Sequence, residues 1–267
     1  MNMLIALALL LQSDELVDQI QKELGDKFTV KKHMDLFVVA CDGDDETMKR
    51  GLGTLTRVYE AMFKDFMKTK PTDPLKVYLF KDKKSYDAYN KKAYGREPTT
   101  PYGFYTPSER KLVMNISTGL GTLAHELVHP LNETDFPEIP SWFNEGFASL
   151  FEQSYYTDDK SIRGDVNWRL PALQRAIKDK SAPGLKSVME TSTAEFYGEE
   201  RGLNYATGRY LCYYLQEKDL LVKYYQSFRD GAKDDPTGVA TLEQVVGKKI
   251  DELEPEFRKF VSQLHYR

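Results

Sequence analysis

Between Gly121 and Glu152 the chain carries three side chains whose types and spacing could do metal chemistry, with a fourth that could move a proton. His125-Glu126-Leu127-Val128-His129 places two imidazoles four residues apart, which on a helix lie one above the other on the same face. Both can point at one metal ion, and Glu126 flanks it. The chain has only four histidines, and two share this one turn. Zinc in a catalytic site takes three protein ligands and keeps one position open for water. The pentad alone fits equally a charged or partly buried helix that matches by chance, so a third ligand has to separate the two readings.

Glu145 follows His129 by sixteen positions, inside Pro140-Ser141-Trp142-Phe143-Asn144-Glu145-Gly146-Phe147-Ala148. Ser141 after a proline is expected to cap a helix N-terminus, and Trp142, Phe143, Phe147, Ala148, Leu150 and Phe151 predict a buried helix. An acid in the middle of such a helix is costly to bury without a partner. A metal ion held by two histidines is such a partner. The bland alternative is a solvated glutamate on the outer face, against apolar neighbours on both sides.

HELVH followed by PSWFNEGFA resembles the gluzincin metallopeptidases, the thermolysin-like clan, and most closely their short peptidase-MA-like members. The resemblance implies zinc held by His125, His129 and Glu145, with Glu126 as general acid/base. Several members use a tyrosine well downstream of the glutamate ligand to donate to the oxyanion. That implies Tyr205 as a second catalytic residue, with Arg209 on the same helix face in reserve; the alternative is a core or surface tyrosine, one of 17. The family also binds extended peptide at an edge strand near the zinc helix, here Gly103 to Tyr105. Three departures stand out. Pro130 directly after His129 is expected to end or bend the helix. The gap between the ligand helices is shorter than in the best-known members. Ser149 stands where an acid orienting a ligand histidine is found, so the carboxylate usual behind a metal-bound imidazole has no assignment. Asp135 is a rival third ligand, since His129-Pro130-Leu131-Asn132-Glu133-Thr134-Asp135 loosely echoes the metzincin continuation, with Asn132 for glycine and Asp135 for the last histidine.

The elements that must position these residues are those of an α+β chain. Its 267 residues can bury a sizeable core as one domain or two closely packed lobes, and 41% apolar with 29% charged residues is ordinary for a globular protein. A net charge of -4 and the lack of a basic cluster exclude an evident nucleic-acid partner. The expected arrangement is zincin-like. A lobe over about 14–130 carries a small mixed sheet and the active-site helix, and a mostly helical lobe covers about 131–267, the metal lying in the cleft between them. No integral membrane segment is expected, and a monomer is assumed.

Met3 to Leu11 is an apolar run too short to span a membrane. It has the size of a signal-peptide core without a positive leader or a clear cleavage site. A truncated or atypical secretory signal over residues 1–13 places the protein outside the cell or in a periplasm. The alternative, an N-terminal helix packed on the domain, leaves it cytoplasmic. Cys41 and Cys212 read as buried thiols that could pair only on export. Asn115-Ile116-Ser117 and Asn132-Glu133-Thr134 match glycosylation acceptors by chance, since glycans there would obstruct the presumed site.

Along the chain, apolar spacing predicts a helix over 14–24, strands over 28–30 and 36–40, and a long helix from Asp44 to Phe66 with one buried stripe. A strand over 75–80, a helix over 83–94 closed by Gly95, and a hairpin from Gly103 to Ile116 lead into the His125 helix. After Glu152 the pattern is mostly helical: 171–178, 185–189 and a long region over 204–229. A capping box at Thr241-Leu242-Glu243-Gln244 and a last helix opened by Pro255 complete it. The function this predicts is zinc-dependent hydrolysis of a peptide or protein substrate. Two other readings stand beside it: an idle zinc-bound scaffold or binding module, and a structural protein with no metal.

Overall fold

The computed structural model describes residues 3–266, with side chains from Asp14 onward, and the fold is α+β with a five-stranded mixed sheet. The signal-or-helix expectation for residues 1–13 falls on side chains outside those described. The chain divides into two compact units, Met1–Tyr59 with Lys70–Leu131, and Glu60–Thr69 with Asn132–Arg267.

The first unit contains α1 (Met3–Leu24), β1 (Thr29–His33), β2 (Phe37–Cys41), most of α2 (Asp45–Asp65), β3 (Leu75–Phe80), α3 (Lys83–Tyr94), β4 (Gly103–Thr106), β5 (Lys111–Asn115) and most of α4 (Gly121–Asp135). The strand order is β1-β2-β3-β5-β4, with β2, β3 and β5 parallel and both edges antiparallel. Strands buried on both faces read as continuous apolar runs rather than alternating ones, and Phe37–Cys41 is buried throughout. On one face Val38, Ala40, Tyr78, Phe80 and Val113 pack with Ile20 of α1 and with Tyr86 and Tyr89 of α3. α2 meets Leu79 through Gly51, where a Cβ would stand 2.5 Å from the leucine Cδ1. Local signals end α3 where expected: Asp82 accepts from the Ser85 N–H at 2.8 Å, and Gly95 closes the helix at φ 69°.

The second unit holds α5 (Ser141–Leu150), a hairpin of β6 (Ser154–Tyr156) and β7 (Ile162–Gly164), then α6 (Leu170–Lys178), α7 (Leu185–Met189), α8 (Thr193–Phe196), α9 (Arg201–Glu217), α10 (Leu221–Gly231), α11 (Val239–Val246) and α12 (Ile250–Gln263). Its core is aromatic. Phe143 lies within 6 Å of the rings of Phe147, Tyr224, Tyr225 and Phe228, and the Trp142 indole N–H donates to the Thr237 carbonyl at 3.0 Å.

Several local expectations are overturned. Of the two outcomes expected at Pro130, an end is ruled out, since α4 runs on to Asp135. The proline removes one intrahelical bond, yet the turn beyond it is tied down by distant partners. Asn132 Nδ2 donates to Asn144 Oδ1 at 2.9 Å, and Asn132 Oδ1 accepts from the Tyr225 hydroxyl at 3.1 Å. Ser141 is not a cap: Pro140 holds that position, and the Ser141 hydroxyl lies 3.0 Å from that of Thr193. The long region over 204–229 is two helices, broken where Asp219 takes φ 55°. Thr241 is not a cap but lies inside α11, which begins at Val239, and its N–H is given to Asp235. Pro255 sits within α12, which begins at Ile250. No sequence pattern marks the β6–β7 hairpin, because three-residue strands are too short to show a period. Among the described residues no helix is long and apolar enough to cross a membrane.

Candidate metal centre

His125 and His129 stand on successive turns of α4, with ring centroids 4.9 Å apart and planes nearly perpendicular. Glu145 sits on α5, between the fully buried Phe143 and Phe147. His125 and Glu145 are buried and His129 is half-buried. One potential ligand atom from each of the three side chains lies within 4.8 Å of the others, a group that could hold a metal ion. Two imidazoles and a carboxylate, largely out of water, are a donor set that suits a divalent transition metal.

Glu126 follows His125, and its Oε2 accepts the backbone N–H of Tyr105 at 3.0 Å. The sheet explains that donor. The Asn115 N–H bonds the Tyr102 carbonyl, and residues along an antiparallel strand alternate in facing their partner. Gly103 and Tyr105 of the edge strand β4 therefore turn their N–H groups away from β5.

Glu145 has a phenol close by that sequence reasoning missed. The Tyr197 hydroxyl donates to Glu145 Oε1 at 2.5 Å. The residue lies far downstream, with no spacing to mark it. The one signal is Ser192-Thr193-Ala194-Glu195, a capping box that the structure contains in full and that starts the short helix α8, with Tyr197 directly after its last residue.

Tyr205 is half-buried on α9, its ring 5.3 Å from Phe196 and 6.2 Å from Tyr197. Burial pushes its phenol well above the usual range, and the negative charge of Glu145 adds to the effect. The Arg169 guanidinium lies 5.1 Å from the Tyr205 ring centre and is held by Glu152 through two hydrogen bonds, of 3.1 and 2.8 Å. Arg209, the reserve donor, is fully buried with its guanidinium on backbone carbonyls: Nε to Ser149 at 3.0 Å, and Nη2 to Leu150 and Asp165. It braces the C-terminal end of α5, which removes it as a candidate.

Asp135 is in the last turn of α4, and both of its oxygens are taken. Oδ1 accepts the Lys68 and Thr69 N–H groups at 2.8 and 2.7 Å; Oδ2 accepts from Tyr225 at 3.2 Å and Arg229 at 3.0 Å. The metzincin-like echo is a buried ion pair. Asn115 and Asn132 are 2% and 0% exposed, which leaves no room for a glycan on either in the folded chain. Cys41 and Cys212 are free and buried. No protein-family model matches the chain, and no curated protein does.

Proposed function

We propose that this chain is a zincin-like zinc metallopeptidase of the gluzincin kind, hydrolysing peptide bonds in a peptide or protein substrate. The observation that carries the reading is the grouping of His125, His129 and Glu145 within 4.8 Å, with a carboxylate next in sequence to the first of them. Zinc held by these three would polarise a peptide carbonyl and make water a nucleophile near neutral pH.

The chain's own residues do the rest. Glu126 takes the proton from the attacking water and passes it to the leaving amine. The Tyr105 N–H, 3.0 Å from Glu126 Oε2, holds that carboxylate from the edge strand. The outward-facing N–H of Gly103 and carbonyls of Gly103 and Tyr105 are offered to an extended peptide, the mode of strand addition. Tyr205 donates a hydrogen bond to the developing oxyanion.

The test is cleavage of a peptide library by zinc-loaded wild type and Glu126→Gln, read by mass spectrometry. Wild type is expected to cut, and the variant to keep its metal and fold while losing roughly 10²–10⁴ of the rate. A loaded wild type that binds zinc and cuts nothing leaves the idle scaffold as the reading. A variant as fast as wild type removes Glu126 as the base.

A further inference from the structure

The segment that delivers Tyr197 is out of proportion to the core it supplies. From Ser192 to Glu200 every residue but Phe196 is exposed, so burial alone gives this stretch little reason to hold one conformation. Yet it is tied at several points. Ser192 and Glu195 form a reciprocal capping box, with the Ser192 N–H on Glu195 Oε2 at 2.8 Å. Thr193 meets the Ser141 hydroxyl at the first residue of α5. Asn204 of α9 donates its amide to the Phe196 carbonyl at 3.1 Å, and Phe196 is 0% exposed. These ties fix the residue that follows, and its phenol ends on Glu145 Oε1.

We infer that Tyr197 is a positioning residue for the metal ligand Glu145, an inference that rests on the metal-site reading above. A glutamate has three side-chain torsions, and its terminal carboxylate turns broadly about the last of them. Fixing one oxygen with a hydrogen bond fixes the plane of the carboxylate, and so the direction of the other. Hydrogen bonds to a carboxylate are charge-assisted and about twice as strong as neutral ones. Groups that orient a ligand in this way typically contribute ten- to hundredfold in metal affinity. The phenol suits the task. Its ring rests on Phe196 and Tyr205, at 5.3 and 6.2 Å, so the hydroxyl can be removed without removing the packing.

The decisive experiment is chelator competition for zinc and for cobalt on the full chain, comparing wild type with Tyr197→Phe. The variant should bind each metal about 10–100 times more weakly, with a changed cobalt absorption band and an unchanged melting temperature of the metal-free protein. A second variant, Glu195→Ala, opens the capping box while keeping the phenol. It should weaken metal binding in the wild-type background and add nothing once Tyr197 is Phe, the signature of one pathway. Equal affinity in wild type and Tyr197→Phe overturns the inference while leaving the metal site standing. Fully additive losses in the double variant overturn it too, since a general loosening of the fold would add. A wild type that takes up neither metal instead removes the metal site, and Tyr197's role with it.

Discussion

Gly146 of α5 and Gly208 of α9 touch backbone to backbone: a Cβ on Gly146 would stand 2.6 Å from the Gly208 carbonyl carbon, and one on Gly208 2.8 Å from the Trp142 carbonyl oxygen. The glycine after Glu145 is thus a packing requirement, set by how closely α9 approaches the helix that carries Glu145. Gly146→Ala should force the two helices apart, lower stability by about 1–3 kcal/mol, and weaken metal uptake by moving Glu145. Thermal melts and chelator competition read both effects. An alanine variant as stable as wild type would show that the contact can relax without strain.

What the sequence could disclose divides along the line between local and distant causes. β3 and α3 match the expected spans because period, cap and left-handed glycine lie within the elements themselves: Asp82 and Gly95 bound α3 with no help from elsewhere. The pairing of His125 with His129 is local too, a matter of one helical turn, and the burial of Glu145 follows from the apolar residues around it. The errors have distant causes. α4 passes Pro130 because Asn144 and other residues far along the chain hold the turn beyond it, and no pattern around the proline reports them. Tyr197 could not be picked from 17 tyrosines, since its link to Glu145 exists only once α8 is docked.

Asp135 should make stability fall on acidification. Burial alone would raise its carboxyl, but the Thr69 and Lys68 N–H groups and the Arg229 guanidinium more than reverse this and hold it below the usual range. An unfolded aspartate titrates near ~3.9. A carboxyl lowered by folding contributes stability that is fully present above that value and is lost as pH falls through the folded one. Asp135→Asn, which keeps the shape and drops the charge, should therefore be less stable than wild type at neutral pH and lose less below about pH 4. Urea midpoints across that range measure it. Parallel curves for the two proteins would show that the Asp135 pair is not what acid breaks.

Glu145 and Asp135 are both buried acids, but they should respond differently to removal. Glu145→Ala should lose most metal binding while Asp135→Asn retains it, because Asp135 already has four donors and Glu145 lies within 4.8 Å of both imidazoles. Asp135→Asn should instead cost stability, as breaking one side of a buried ion pair typically does by about 3–5 kcal/mol. Metal titration and denaturation on the same samples separate the two losses. Retention by Glu145→Ala with loss by Asp135→Asn would reverse the ligand assignment.

Tyr205 is the tyrosine whose role most needs a kinetic answer, since its surroundings fit two uses. Its ring packs on Phe196 and lies 5.1 Å from the Arg169 guanidinium, as a structural residue's would. Its phenol is also kept protonated by burial and by the charge of Glu145, the state in which it can donate to an oxyanion. A donor used only in the transition state lowers kcat and kcat/KM together and leaves KM nearly unchanged. Tyr205→Phe should therefore cost on the order of 10²–10³ in kcat. A purely structural hydroxyl would instead cost about 1 kcal/mol of stability and little activity. Steady-state kinetics normalised to folded, metal-loaded protein, with melts alongside, tell these apart. Full activity in a destabilised variant would make Tyr205 structural and leave Tyr197, already against Glu145, as the phenol to test for the oxyanion.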